Sequence, residues 1–160
     1  MVKKELNKIF LGADHAGYGL KEEVKKHFLK LGMNVEDMGT HTFDPKDDYP
    51  DFIVPVAKKV AENPNNLGII FGASGQGETI AANKIKGVRA ALYYGGNMEI
   101  VKLSRTHNNA NILSLGARFL TKDEAIEAVK LWLKTDFSNE DGHVRRVGKI
   151  NMSEIYHQSI

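Results

Sequence analysis

Apolar residues along this chain fall into two kinds of segment. Runs of four or five residues, Lys8 to Leu11, Asn34 to Met38, Leu67 to Phe71, Ala90 to Tyr94 and Ile112 to Leu115, are bounded by Gly, Asn or Asp and predict five β-strands. Between them the apolar positions recur with helical period. Leu20, Val24, Phe28 and Leu31 stand at i, i+4, i+8 and i+11 among lysines and glutamates, and Gly32 sits where a helix-ending residue belongs. Ile53, Val56, Ala57 and Val60 repeat at i, i+3, i+4 and i+7 before Asn63-Pro64, and Thr121 with Glu124 makes a capping box that opens a helix from Thr121 to Thr135. Shorter helices are expected from Glu78 to Lys84 and from Met98 to Arg105. A last one runs from about Val144 to His157, with Val147, Ile150 and Ile155 roughly in period. Trp132 and its leucine neighbours read as helix packing.

This regular alternation predicts an open, doubly wound α/β domain with a five-stranded parallel sheet, because each right-handed crossover needs a helix to bring the chain back to the same edge. Only Gly39 to Asp51 and the chain after Thr135 break the pattern. A helix added after the last sheet-packing one has no place in such a sandwich, which directs it to a partner subunit. The 160 residues amount to one domain. Charge and composition then narrow the function. Lys and Arg number 22 against 20 Asp and Glu, a net +2, too balanced for nucleic-acid binding or a polybasic membrane surface. The absence of cysteine removes disulfides and thiolate chemistry and fits a reducing compartment. The stretch MVKKELNKIFLG lacks the apolar centre of a signal peptide, and no apolar run approaches the roughly 20 residues that span a bilayer. A soluble, cytoplasmic protein is expected.

Open α/β sheets bind ligands beyond the carboxyl ends of their strands, where loops and helix N-termini present backbone N–H groups. After the first strand comes Gly12-Ala13-Asp14-His15-Ala16-Gly17, and after the second a loop ending in Asp48-Tyr49-Pro50. The third exit is Gly72-Ala73-Ser74-Gly75-Gln76-Gly77-Glu78, and the fifth is Gly116-Ala117-Arg118. Three glycines in six residues at the third exit allow several N–H donors to converge on one anion. The spacing is neither that of a Walker A loop nor that of a dinucleotide fingerprint. Asp14-His15 sets a carboxylate beside a group that titrates near neutrality. His107, in Arg105-Thr106-His107-Asn108-Asn109, precedes the fifth strand and so lies at the amino edge, opposite the crevice. It reaches a crevice only in a neighbouring copy, and a dimeric site is expected. Arg118 and the Arg145-Arg146 pair are the cationic candidates. The four carboxylates of Asp44 to Asp51 lack the Gly and terminal Glu of a calcium loop and read as a loop over the crevice. No spaced ligand set calls for a metal.

At Gly12 to Gly17, at Asp48-Tyr49-Pro50, at Gly72 to Lys84 as GASGQGETIAANK and at Arg105 to Asn109, the chain closely resembles the type B ribose-5-phosphate isomerases, over about residues 8 to 147. The wider family also contains allose-6-phosphate and galactose-6-phosphate isomerases. The resemblance implies one sugar-phosphate isomerase domain over residues 1 to 160, a Rossmann-like α/β/α fold and no cofactor or metal. It also implies a homodimer, or a dimer of dimers, with active sites shared between subunits.

Matched position by position, the resemblance implies roles. Glu78 is the base that moves a proton between C1 and C2. Ser74 and the backbone N–H groups of Gly75, Gln76 and Gly77 hold the enediolate oxygen, and Asp14 orients substrate hydroxyls. His107 from the partner, with Asn108 beside it, opens the sugar ring. His15, Arg118, His143 and Arg146 match phosphate-contact positions, and Tyr49 belongs to the substrate pocket. Two departures stand out. Where many members carry a catalytic cysteine this chain has Gly72, placing it with the subgroup that uses the glutamate six residues later. Gly142 stands where the family has an arginine before His143, with Arg145 as a substitute. The expected reaction interconverts ribose 5-phosphate and ribulose 5-phosphate through an enediolate. The alternatives are a six-carbon aldose phosphate isomerase and a non-catalytic sugar-phosphate-binding module, the latter disfavoured because sensing needs the anion contacts but no base.

Overall fold

The computed structural model describes residues 8–155. Its elements are β1 (Ile9–Ala13), α1 (His15–Lys30), β2 (Val35–Asp37), α2 (Pro50–Ala61), β3 (Leu67–Gly72), α3 (Gln76–Ala82), β4 (Ala90–Tyr93), α4 (Glu99–Thr106), β5 (Ile112–Gly116), α5 (Lys122–Lys134) and α6 (Asp141–Ser153). All five expected strands form, each within two residues of its expected limits, and they pair in parallel in the order β2-β1-β3-β5-β4. β1, β3 and β5 are buried along their whole length, as strands covered on both faces must be. The result is the predicted three-layer α/β/α sandwich. On one face, Val24 and Phe28 of α1, Val101 of α4 and Val129 and Trp132 of α5 pack on Ile9, Leu11, Ile69 and Leu115. On the other, Ile53, Val56, Ala57 and Val60 of α2 and Ala82 of α3 cover Phe10, Ile70 and Ile112.

Local chemistry explains the helix ends. Asp14 Oδ1 accepts the backbone N–H groups of Ala16 and Gly17 at 3.0 and 3.1 Å, so α1 begins at His15, five residues before the first apolar position of its expected stripe. At the other end Gly32, with φ +68°, takes the left-handed turn: its N–H reaches Leu29 O and that of Met33 reaches Phe28 O. The Thr121–Glu124 capping box is present at α5.

Two apolar expectations fail. Leu31 is 59% exposed, beyond the end of α1, and the buried stripe is completed instead by Gly17 and Lys21. The Lys21 side chain is fully buried, with Nζ held by Asp37 Oδ1 and Oδ2 at 2.7 and 2.6 Å and by Glu22 Oε1 at 2.9 Å. α6 starts at Asp141, three residues before the expected Val144, and ends at Ser153; His157 lies outside the described residues. Of its expected apolar stripe only Val147 is buried, while Ile150 and, past the helix end, Ile155 are exposed. The stripe finds no sheet to cover, because both faces are already occupied, and α6 packs closely on no other described helix or strand. Its far end is tied to the same chain through Gly87 N–H to Glu154 Oε1 at 2.9 Å.

Candidate active site

The sheet order changes direction between β1 and β3: β2 lies outside β1, while β5 and β4 continue beyond β3. At such a switch point the loops leaving adjacent strands diverge and open a crevice. The register pairs Ala13 with Phe71 and Gly72 with Gly116, so Asp14, the Gly72–Glu78 loop and Ala117-Arg118 meet at one end of the sheet. Backbone bonds close this end, Ala117 N–H to Gly72 O at 2.8 Å and Arg118 N–H to Ala73 O at 3.0 Å.

Glu78 is the centre of the crevice. It sits in the first turn of α3 and is only 4% exposed. Its carboxyl group fills the space over Gly72, where a Cβ would collide with it. The absence of a side chain at 72 is therefore what admits the glutamate. Burial pushes the Glu78 carboxyl up from its ordinary value; its own backbone N–H pulls the other way, and the Asp14 carboxylate adds to the rise. Such a group is a carboxylate of increased basicity, suited to taking a proton from carbon-bound hydrogen.

Around it, Gly75 adopts φ +76° at the N-cap of α3, and no side chain caps the helix. Ser74 Oγ, half-buried, accepts only the N–H of Gln76, at 3.3 Å. Tyr49 leans in from the start of α2 with its hydroxyl directly above Gly77. Asp14 is 7% exposed and spends Oδ1 on the helix cap, leaving Oδ2 at 3.9 Å from His15 Nδ1. The exposed Arg118 side chain lies close enough to oppose the charge on His15. Asp14, His15, Tyr49, Ser74, Gly75, Gln76, Gly77, Glu78 and Arg118 thus share the carboxyl end.

His107, Asn108, His143 and Arg146 do not join them. His107 follows α4 and precedes Asn111, whose O accepts the N–H of Gly68 at the start of β3, so it stands at the amino end. There the His107 and His143 rings stack at 4.1 Å, and His143 Nδ1 meets Ser138 Oγ at 2.7 Å. Arg146 Nη1 lies 3.1 Å from where a Cβ on Gly142 would sit. The Arg146 guanidinium thus lies over Gly142. Asn108 borders a cavity of about 760 Å³ between Asn83–Ala91 and the end of α6.

Sequence reasoning missed Asp47 and Lys21. Asp47 Oδ1 receives both His15 Nδ1, at 2.6 Å, and the His15 backbone N–H, at 3.1 Å. Nothing in the loop's composition separates Asp47 from Asp44, Asp48 or Asp51, since its partner is 32 residues away. Asp14, His15 and Asp47 bring ligand atoms within 4.8 Å of one another. The imidazole nitrogen of that trio is already committed to Asp47, which makes it a hydrogen-bonded charge cluster. Asp37 supports the same end from β2. Burial alone would raise its carboxyl, yet hydrogen bonds from the Lys21 and Lys25 ammonium groups and the Gly39 N–H outweigh this and hold it at about 2.

No described helix is long and apolar enough to cross a membrane. The model of the Ribose/Galactose Isomerase family matches residues 9–150. The chain is 39% identical over 152 residues to ribose-5-phosphate isomerase B of Mycobacterium leprae, covering 95% of this chain and 93% of that protein. It is 44% identical over 144 residues to a probable ribose-5-phosphate isomerase B of Mycoplasma genitalium, covering 89% and 92%. Among solved structures, ribose-5-phosphate isomerase B from Mycoplasma genitalium with bound ribulose-5-phosphate superposes with a TM-score of 0.88 at 42% identity, covering 92% of this chain and 96% of that one. The Clostridium thermocellum enzyme gives 0.86 at 43% identity, covering 94% and 99%. With the family match spanning nearly the whole described fold, and with strands, crevice and Gly72–Glu78 pairing as described, this chain belongs to the Ribose/Galactose Isomerase family.

Proposed function

We propose that this chain is an aldose–ketose isomerase that interconverts ribose 5-phosphate and ribulose 5-phosphate as a single-domain enzyme. The observation that carries the reading is the buried Glu78 carboxyl seated over Gly72 beside a glycine-rich loop. Isomerisation removes the C2 proton of the open-chain aldose and returns a proton to C1, so one base can serve both steps on one face of the enediolate. Glu78 is that base. The negative charge that develops on oxygen is met by Ser74 Oγ–H and the N–H groups of Gly75, Gln76 and Gly77. Asp14 Oδ2 accepts from substrate hydroxyls, and Tyr49 borders the sugar above Gly77.

The sugar enters as a closed ring, and opening it requires proton transfer between the anomeric hydroxyl and the ring oxygen. His107 and Asn108 of a second copy perform that step, with His143 and Arg146 of the same copy reaching the phosphate opposite His15 and Arg118. The supporting observation is that His107, Asn108 and Arg146 stand exposed, and His143 half-buried, at the amino end, away from the crevice of their own chain; a two-fold partner would carry them to a neighbour's crevice.

The test is isomerisation of ribose 5-phosphate by the purified protein, followed by NMR in D₂O beside allose 6-phosphate and galactose 6-phosphate. Turnover of the five-carbon sugar with deuterium entering at the exchanging carbon is expected. Turnover of a six-carbon sugar alone would reassign the substrate, and binding without turnover of any of the three would leave a sensor module.

A further inference from the structure

The loop between β2 and α2 contributes one carboxylate that the reaction scheme does not use. Asp47 approaches His15 across 32 residues of chain, and a single oxygen, Oδ1, takes both the ring Nδ1 at 2.6 Å and the backbone N–H at 3.1 Å. The Asp47 side chain is 9% exposed, and its Oδ2 is buried with no hydrogen-bond partner. Burying an ionised carboxylate with one oxygen unsatisfied is costly. The loop is nonetheless shaped to hold it there: Asp47 N–H bonds to Asp44 O at 3.1 Å, and the Phe43 ring meets the imidazole edge-on at 6.0 Å between centroids. His15 Nε2 makes no hydrogen bond to any described residue and remains the ring's free nitrogen.

We propose that Asp47 is a positioning residue: by engaging Nδ1 it orients the His15 ring and keeps Nε2–H as a charged donor to the phosphate group of the substrate. This deepens the proposed function and rests on its reading of His15 as a phosphate contact. The charged groups facing His15 are Asp47, Asp14 and Arg118. The hydrogen bond to Asp47 raises the imidazole above its ordinary value of 6.5, burial opposes this, Asp14 adds to the rise and Arg118 subtracts from it. A cationic imidazole offers a stronger hydrogen bond to a phosphate dianion than a neutral one, which would present Nε2 as an acceptor whenever Nδ1 carries the proton.

The test combines NMR titration of the His15 ring with KM and kcat for ribose 5-phosphate from below to well above pH 6.5, in the wild type, Asp47→Asn, His15→Gln and the double variant. Asp47→Asn is expected to lower the His15 midpoint towards 6.5. The ratio of its KM to that of the wild type should rise about three- to tenfold between 6.5 and the higher wild-type midpoint and return towards unity on either side of that window, where the imidazole has the same charge in both. kcat should change little, and Asp47→Glu should restore part of the shift. A KM ratio that is raised equally at every pH, or an Asp47→Asn effect that persists in the His15→Gln background, would reduce Asp47 to loop packing. A lowered His15 midpoint with unchanged KM overturns the proposal and leaves the isomerase reading standing. An unchanged KM in His15→Gln removes its premise.

Discussion

Asp14, Ser74, Glu78 and Arg118 gather where β1, β3 and β5 end, whereas His107 and His143 stack on each other where β5 begins. The groups at the first end are largely shielded: Glu78 and Asp14 are buried and Ser74 half-buried, with the loop backbone pinned to neighbouring strands. At the second end His107, Asn108 and Arg146 are exposed. The two groups are separated by at least the five residues of β5, roughly 16 Å at strand rise, too far for one sugar phosphate to bridge within a chain. The carboxyl end holds what proton transfer needs, a base and donors for a developing oxyanion; the amino end holds what ring opening needs, an accessible imidazole. A parallel sheet sends every strand exit to one end and every helix-to-strand return to the other. In the proposed scheme, joining the two halves of the chemistry falls to a second copy.

The largest effect expected at the carboxyl end comes from Glu78→Gln. It should lower kcat about 10²- to 10⁴-fold while a substrate titration still shows binding, since the variant keeps size and polarity but not the base. In the wild type the acid limb of kcat/KM should fall above the ordinary glutamate value of 4.5, because burial raises the Glu78 carboxyl and protonation removes the base. The contrast between the two ends is tested next by co-expressing Glu78→Gln with His107→Asn. If sites are shared across a two-fold axis, random pairing leaves half the molecules hybrid with one of two sites intact, about a quarter of wild-type activity. If each chain acts alone, hybrids stay as inactive as the parents.

A smaller effect separates support from chemistry at the carboxyl end. Asp37 titrates at about 2 in the folded chain against an ordinary 3.8, so its ion pair contributes stability above pH 3.8 that is lost as pH falls through about 2. That difference corresponds to about 2 kcal/mol. Asp37→Asn should lower stability by about that much at neutral pH, leaving Lys21 buried with Glu22 as its remaining partner, as chemical denaturation would read. Smallest is Thr121→Ala, which removes one side of the α5 capping box and should cost about 1 kcal/mol with kcat unchanged.

Much of this could be read in advance, and the reason is local. Strand and helix periods record which residues face the core, and the Thr121–Glu124 box and Gly32 turn are decided by residues within a few positions of one another. The βα alternation dictates parallel strands, and parallel strands dictate which loops share an end, so the crevice residues and the exclusion of His107 from it followed from the chain alone. Other features depend on which surfaces meet. The placement of β5 between β3 and β4 comes from sheet pairing that no local period encodes. Lys21 looks like any polar helix position until Asp37 is brought against it from β2. Asp47 looks like its three acidic neighbours until the loop folds it onto His15. Nor does the spacing of Gly72 and Glu78 reveal that the glutamate occupies the glycine's empty volume. Each is a contact between segments distant in sequence or turned towards each other by a helix start, and its energy exists only once the sheet has assembled.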